Sequence, residues 1–350
     1  MINIYKILKI NFTILFLHIK SPSLSFLLPF WGRSGWGLGF RMGLFLLITF
    51  IFSACETEFD PGIAYVPRIA VEGYIEGGER STPPYVILTR SLNLFSTLNP
   101  ADYEKYLVHD AKITVSDGTV TDTLSEICLN KLTPQQKIIA GQFLGINVDS
   151  LDGVNASICI YTSLNFKILG KEGKTYSMRI EAEGQTLTAT TTIPKQIKLD
   201  SLATIPLPNN QNDTLRQMRG YLTDPAGIAN FYRYQVSIND GPFRARGNSV
   251  INDNFFDGKP SFEFPLTNPI LPNQQKVNFE TAGLYKIGDK ATIKWMVIDL
   301  PHYDFWRTSE ASAQNVGPFS TYTRISSNVK GGLGVFGGIC SSYYTKVIKK

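Results

Sequence analysis

The chain has 350 residues and a formal net charge of +5, from 34 Lys and Arg against 29 Asp and Glu. All of that excess sits in residues 1–54, where Lys6, Lys9, Lys20, Arg33 and Arg41 stand without one acidic residue; removing these five leaves 29 basic against 29 acidic. A body of near-zero charge excludes nucleic acid as the expected partner, because binding it takes a basic patch that displaces counterions.

The first 54 residues read as an export region. Arg33 and Arg41 precede the apolar run Gly43 to Phe52, and Ser53-Ala54 then lead to Cys55, which is the order of parts in a secretory signal. The ten residues of that run would rise only about 15 Å as a helix, half of a hydrocarbon core of about 30 Å, which favours a cleaved signal over a permanent span. A second apolar stretch, Phe12 to Leu17 and Leu24 to Trp31, exceeds what one signal peptide needs, so the true start is expected at Met42 or a nearby upstream codon. Phe52-Ser-Ala-Cys55 resembles the lipobox of bacterial lipoproteins, with Phe52 where Leu is usual. The resemblance implies a lipid on Cys55 and anchorage in an outer membrane. Residues 55–65 form an acidic tether with Glu56, Glu58 and Asp60. In Bacteroidetes such residues resemble a signal for display at the cell surface; a plain solvated linker is the other reading.

From Arg68 onward, β-branched and aromatic residues alternate with polar ones, and Gly, Asp, Asn or Pro closes each run, the pattern of strands. Strands are expected at Arg68–Ile75, Tyr85–Arg90, Ala111–Ser116 and Thr119–Leu124, the last two joined by the turn dipeptide Asp117-Gly118. Lys174–Ala182 and Gln185–Ile193 form the next hairpin, with Tyr176, Met178 and Ile180 on one face. Beyond it, Arg219–Asp224, Phe231–Ile238 and Ala291–Asp299 read as strands, and His302–Gln314 as the single helix. Close strands with short turns and almost no helix exclude a parallel α/β sheet. The expected architecture is all-β: an immunoglobulin-like β-sandwich over 66–195, a linker or edge over 196–215 rich in Pro and Asn, and a second β-rich domain with one short helix over 216–346.

The constellations that could carry chemistry each have a plainer reading. Gly332-Leu-Gly334-Val-Phe-Gly337 satisfies GxGxxG, but no helix of a βαβ unit follows it; a glycine-rich bend is expected, or a loop, and no cofactor. His302 lies between Asp299 and Asp304, where a carboxylate beside an imidazole suits a base, yet Pro301-His302 reads as a helix start with Asp304 complementing the dipole. Asn252–Gly258 is oxygen-rich enough for calcium but lacks EF-hand spacing and its closing Glu, and reads as a turn. No catalytic or metal residue is expected, and zinc is excluded because the body has only His109 and His302 and no CxxC. Of the remaining cysteines, Cys128 and Cys159 fall in one expected domain and are a possible disulfide, though spacing fixes no connectivity; Cys340 is the third. The many aromatics, Tyr74, Phe255, Phe256, Trp295, Trp306, Tyr343 and Tyr344 among them, divide between core and surface in a way sequence does not reveal.

Taken in order, Val71-Glu-Gly-Tyr-Ile75, Val115-Ser-Asp-Gly118, Gly173-Lys-Thr-Tyr176, Ile193-Pro194, Asp224-Pro-Ala-Gly-Ile-Ala-Asn-Phe-Tyr232 and Ser327-Asn-Val-Lys-Gly-Gly-Leu-Gly-Val-Phe-Gly-Gly338 are similar to the Bacteroidetes outer-membrane lipoproteins of domain-of-unknown-function family 4249. The resemblance spans about 55–345. It implies a non-catalytic lipoprotein, an accessory or binding component beside a TonB-dependent receptor. The alternatives are a surface hydrolase acting on polymers and a structural or adhesion lipoprotein.

Overall fold

A computed structural model describes residues 65–92, 104–144, 158–207, 213–269, 281–315 and 323–350. The export region, Cys55 and the tether as far as residue 64 lie outside the described residues. Strands β1 (Ile69–Gly78), β2 (Tyr85–Arg90), β3 (Lys112–Ser116), β4 (Thr121–Cys128), β5 (Cys159–Thr162), β6 (Thr175–Ala182) and β7 (Gln185–Thr192) come from the first half of the chain. The second half supplies β8 (Ser201–Ile205), β9 (Leu215–Leu222), β10 (Phe231–Ile238), β11 (Val250–Asn252), β12 (Phe262–Pro265), β13 (Tyr285–Lys286), β14 (Lys290–Ile298) and β15 (Leu333–Val347). Helix α1 is Pro134–Leu144 and helix α2 is Leu300–Gln314.

Among the described residues eleven strands join in the order β11-β10-β14-β15-β1-β2-β5-β4-β3-β6-β7, and β8, β9, β12 and β13 form a smaller sheet. All neighbours in the larger sheet are antiparallel except β1 and β15, which run parallel from Ala70 opposite Leu333 to Gly78 opposite Ser341. That seam stitches the two ends of the body together. The larger sheet also turns back on itself: Thr188 of β7 bridges Lys330, and Asn328 donates to the Thr190 carbonyl, so β7 lies against the start of β15. The protein is therefore mostly β and sandwich-like.

The alternating strands bury the face their sequence predicts. In β6, Tyr176, Met178 and Ile180 are all buried while Thr175, Ser177 and Arg179 are exposed. Strand β14 is covered on both faces. Its Ile293, Trp295 and Val297 enter the main core against β10 and the smaller sheet, and Met296 and Ile298 pack under α2 with Phe305 and Trp306. Trp295 stacks on Tyr232 at 5.0 Å and packs on Phe264 at 5.2 Å, contacts that add about 0.5–1.5 kcal/mol each beyond area burial.

Several expectations are corrected, the single helix among them, since Pro134–Leu144 is helical as well. The boundary near 195–200 does not separate two domains, because Pro67–Lys350 falls in one compact unit and one core cluster holds Ile113 and Ile180 together with Tyr232, Phe264 and Trp295. The expected linker is itself structural: β8 pairs with β9, Ile197 accepts a bond from the Trp295 indole, and Gln196 bonds Ser341 and Ser342. The glycine run 332–338 is neither bend nor loop, for Leu333 onward forms a strand at the heart of the sheet. The Asp117-Gly118 hairpin forms with a longer loop, since Ser116 pairs with Thr121 and the Asp117 carboxylate accepts the Thr119 and Val120 amides.

Candidate functional site

His302 heads the first turn of α2, which starts where Pro301 predicts, but it neither caps nor meets solvent. It is 0% exposed, and its ring nitrogens make no well-formed hydrogen bond among the described residues, with the Gly338 backbone as polar support. Burial holds its pKa well below the ordinary imidazole range, so the ring is neutral. Its neighbours are the Tyr74 ring at 5.0 Å and the Gly337 backbone, whose missing side chain makes the room. Asp304 does not serve the dipole either, lying beyond the first turn and pairing with Arg307 at 3.2 Å.

Asp299 occupies the N-cap position of α2 without a side-chain capping bond. Its carboxylate is claimed by the sheet instead: Oδ2 accepts the Thr191 hydroxyl at 2.7 Å and Oδ1 accepts the Gly338 amide at 3.3 Å. Burial pushes its pKa up to about 6, against the lowering influence of those two donors. The folded state thus holds this proton to a higher pH than the unfolded chain. Stability from the protonated form is complete below about pH 4 and is lost as pH rises through about 6. Asp299→Asn keeps a neutral side chain at all pH, so the melting temperature of the natural chain is expected to fall relative to the variant between pH 4 and pH 7. A difference that stays constant over that range would show that Asp299 is already ionised at the lower end.

Two buried polar networks flank the β1–β15 seam. In the first, the Glu76 carboxylate, 3% exposed, receives Lys294 Nζ at 2.6 Å, the Ser341 hydroxyl at 2.5 Å and the Tyr343 hydroxyl at 3.1 Å. Burial pulls the Lys294 ammonium down, but Glu76 and Tyr343 together more than offset it and the pKa stays above the usual lysine value. In the second, beneath α2, Arg233 lies 3.8 Å over the Trp306 ring and donates to Ser249, whose hydroxyl and amide both bond Glu310. Both networks are satisfied and closed, which suits holding strands in register.

Two surface features are open. The first is a cleft of about 470 Å³ lined by Glu104, His109, Glu126, Asn130 and Lys131. There His109 Nδ1 lies 2.5 Å from Glu126 and Nε2 3.5 Å from Glu104. Cys128 and Cys159 sit opposite each other on β4 and β5 and form a disulfide, so neither offers a thiolate to a metal beside His109. Cys340 is free and buried. The second is one loop end, where the turn after β9 (Asp224-Pro-Ala-Gly227) meets the turn after β11 (Asp253 to Gly258). Asp224, Asp253 and Asp257 converge there. Beside them Ile228 is 62% and Phe255 81% exposed, whereas Phe256 is 5% exposed and stacks on Phe262.

The family model described as domain of unknown function DUF4249 matches residues 56–344. The chain belongs to that family. No curated protein and no solved structure matches it. Within this DUF4249 chain, the sequence singled out His302 and Asp299, and the structure sets the His302 ring against Tyr74 and Gly337 while the Asp299 carboxylate goes to Thr191 and Gly338. The sequence missed Glu76, Lys294 and Tyr343, whose one signal was the pair Glu72 and Glu76 inside an otherwise apolar strand. It also missed Asp224, because two strands separate it from the turn that completes the cluster.

Proposed function

We propose that the protein is a non-catalytic lipoprotein, held at the outer membrane by a lipid on Cys55 and serving as an accessory or binding component of a TonB-dependent uptake system. The observation that carries this reading is that the family match begins at Glu56, the residue after Cys55, while the signal-like run ends immediately before it. Among the described residues no helix is long and apolar enough to cross a membrane. A lipid anchor confines the body to one surface and raises its effective concentration for other membrane proteins, so a weak interface suffices. The exposed Ile228 and Phe255 at one loop end are where such contact is expected, since connecting loops on a rigid scaffold carry binding. A hydrolase built on His302 is the less favoured reading, since that ring is fully buried against Tyr74 and the Gly337 backbone.

Affinity purification of the tagged protein from its native membrane tests the proposal. A diacylglyceryl thioether on Cys55 by mass spectrometry and near-stoichiometric recovery of a TonB-dependent receptor are expected, with recovery reduced by Ile228→Ser and Phe255→Ser together while the melting temperature holds. An unmodified Cys55, or no receptor after mild crosslinking although the input contains it, sinks the reading.

A further inference from the structure

The turn after β9 and the turn after β11 are distant in sequence, yet they bring three carboxylates to one point. One oxygen from each of Asp224, Asp253 and Asp257 lies within 4.8 Å of the others. Two oxygens bound to one Ca²⁺ at about 2.3–2.6 Å stand at most about 5 Å apart, so a single ion comes within reach of all three once the carboxylates shift by a few tenths of an ångström.

The protein's own donors engage only half of this oxygen set. The Tyr232 hydroxyl donates to Asp224 Oδ1, the Asn230 amide to Asp253 Oδ2 at 2.6 Å, and the Gly227 amide to Asp257 Oδ1 at 2.8 Å. These bonds orient the carboxylates and leave a second oxygen on each. Asp224 Oδ2 is the telling atom: its residue is 3% exposed, and this oxygen has no hydrogen-bond partner among the described residues. The Gly258 amide also donates to the Asp224 carboxylate. Asp253 is likewise 3% exposed.

Charge makes the arrangement costly as it stands. Asp224 and Asp253 are both buried, and each has the other carboxylates of the cluster within 4.8 Å. A buried carboxylate without a countercharge normally gives up its charge or coordinates a metal. Asp257 is exposed, which gives an ion a way in and room for water to complete its shell. The all-oxygen donor set is that of a hard cation, whereas zinc sites include nitrogen or sulfur ligands beside any carboxylate. Ligands on two turns without regular geometry suit calcium better than magnesium, which demands a near-ideal octahedron.

We infer that Asp224, Asp253 and Asp257 form a calcium site that pins the β9–β10 turn to the turn after β11. This site does not depend on the proposed membrane role. It would also fix the backbone that carries Ile228 and Phe255.

The test uses the full-length protein purified in detergent, stripped with EDTA and titrated with CaCl₂, and separately with MgCl₂, by calorimetry and thermal melting. Calcium is expected to bind at one site with a dissociation constant of about 1 mM or tighter. At about a hundredfold excess over that constant it should raise the melting temperature by roughly 5 °C or more. Asp257→Asn, at an exposed position, should weaken calcium at least about tenfold without changing the melting temperature in EDTA. Asp224→Asn should abolish the calcium response and be at least as stable as the natural chain in EDTA, since it removes one of the crowded charges. A natural chain blind to calcium, a calcium response that Asp257→Asn retains in full, or an equal response to magnesium overturns the assignment.

Discussion

Replacing Gly334 by alanine is expected to unfold the protein or cost on the order of 4 kcal/mol or more, among the largest losses a single methyl group brings. Two penalties add at this residue. Its φ of +103° is one that side-chain-bearing residues rarely adopt. A Cβ there would also stand 1.8 Å from the Val71 carbonyl oxygen of β1 and 2.8 Å from the carbonyl carbon. Those are backbone atoms of the register partner in the parallel seam, so no rotamer change relieves the clash. Moving β1 away would break the pairing that joins the two ends of the sheet. Gly118 separates the penalties, because it has a φ of +87° with nothing within 4 Å of a Cβ. Gly118→Ala should therefore cost only about 1 kcal/mol. Urea unfolding of both variants checks the contrast, and equal losses would mean that the seam yields where the structure has it rigid.

The same residue explains what the sequence showed and what it hid. Strands with one wet face, such as β6, write their burial into a two-residue alternation, and their ends are legible because Gly, Asn and Pro close them. Strand β15 has no wet face over most of its length, so the alternation vanishes. Its glycines mark close approaches instead: Gly337 against the His302 ring and Gly338 against the Thr192 carbonyl. In the sequence those constraints read as a glycine-rich bend with close neighbours, not as a strand. The apparent linker misled for a related reason. Pro206, Pro208 and the asparagines around residue 210 signal irregular chain, but the partners of Gln196, Ile197 and Leu199 are Ser341, Trp295 and Tyr344, which only the folded chain brings near. The acidic cluster was half visible. The turn over 252–258 carried its oxygen donors openly, and the Asp224-Pro-Ala-Gly227 turn was equally plain, yet no spacing rule connects turns that meet only across a sheet.

Lys294→Met is expected to destabilise by about 3–5 kcal/mol, because it leaves the Glu76 carboxylate buried without its cation. Lys294 and Glu76 have side chains 15% and 4% exposed and lie 2.6 Å apart, so solvent does little to screen or replace the pair. The Ser341 and Tyr343 hydroxyls would remain as donors to Glu76, yet they neutralise no charge. Glu76→Gln alone should also cost several kcal/mol, since it strands the Lys294 ammonium between β1 and β14. Joined in one chain, the two changes replace an ion pair by an amide and a thioether of similar volume. The double variant is then expected to be more stable than the sum of the single losses predicts, by about 2 kcal/mol or more. Denaturant unfolding of the four chains closes the cycle. Strict additivity would mean that the two groups do not act as a pair, and that water or another anion reaches Lys294 in the folded protein.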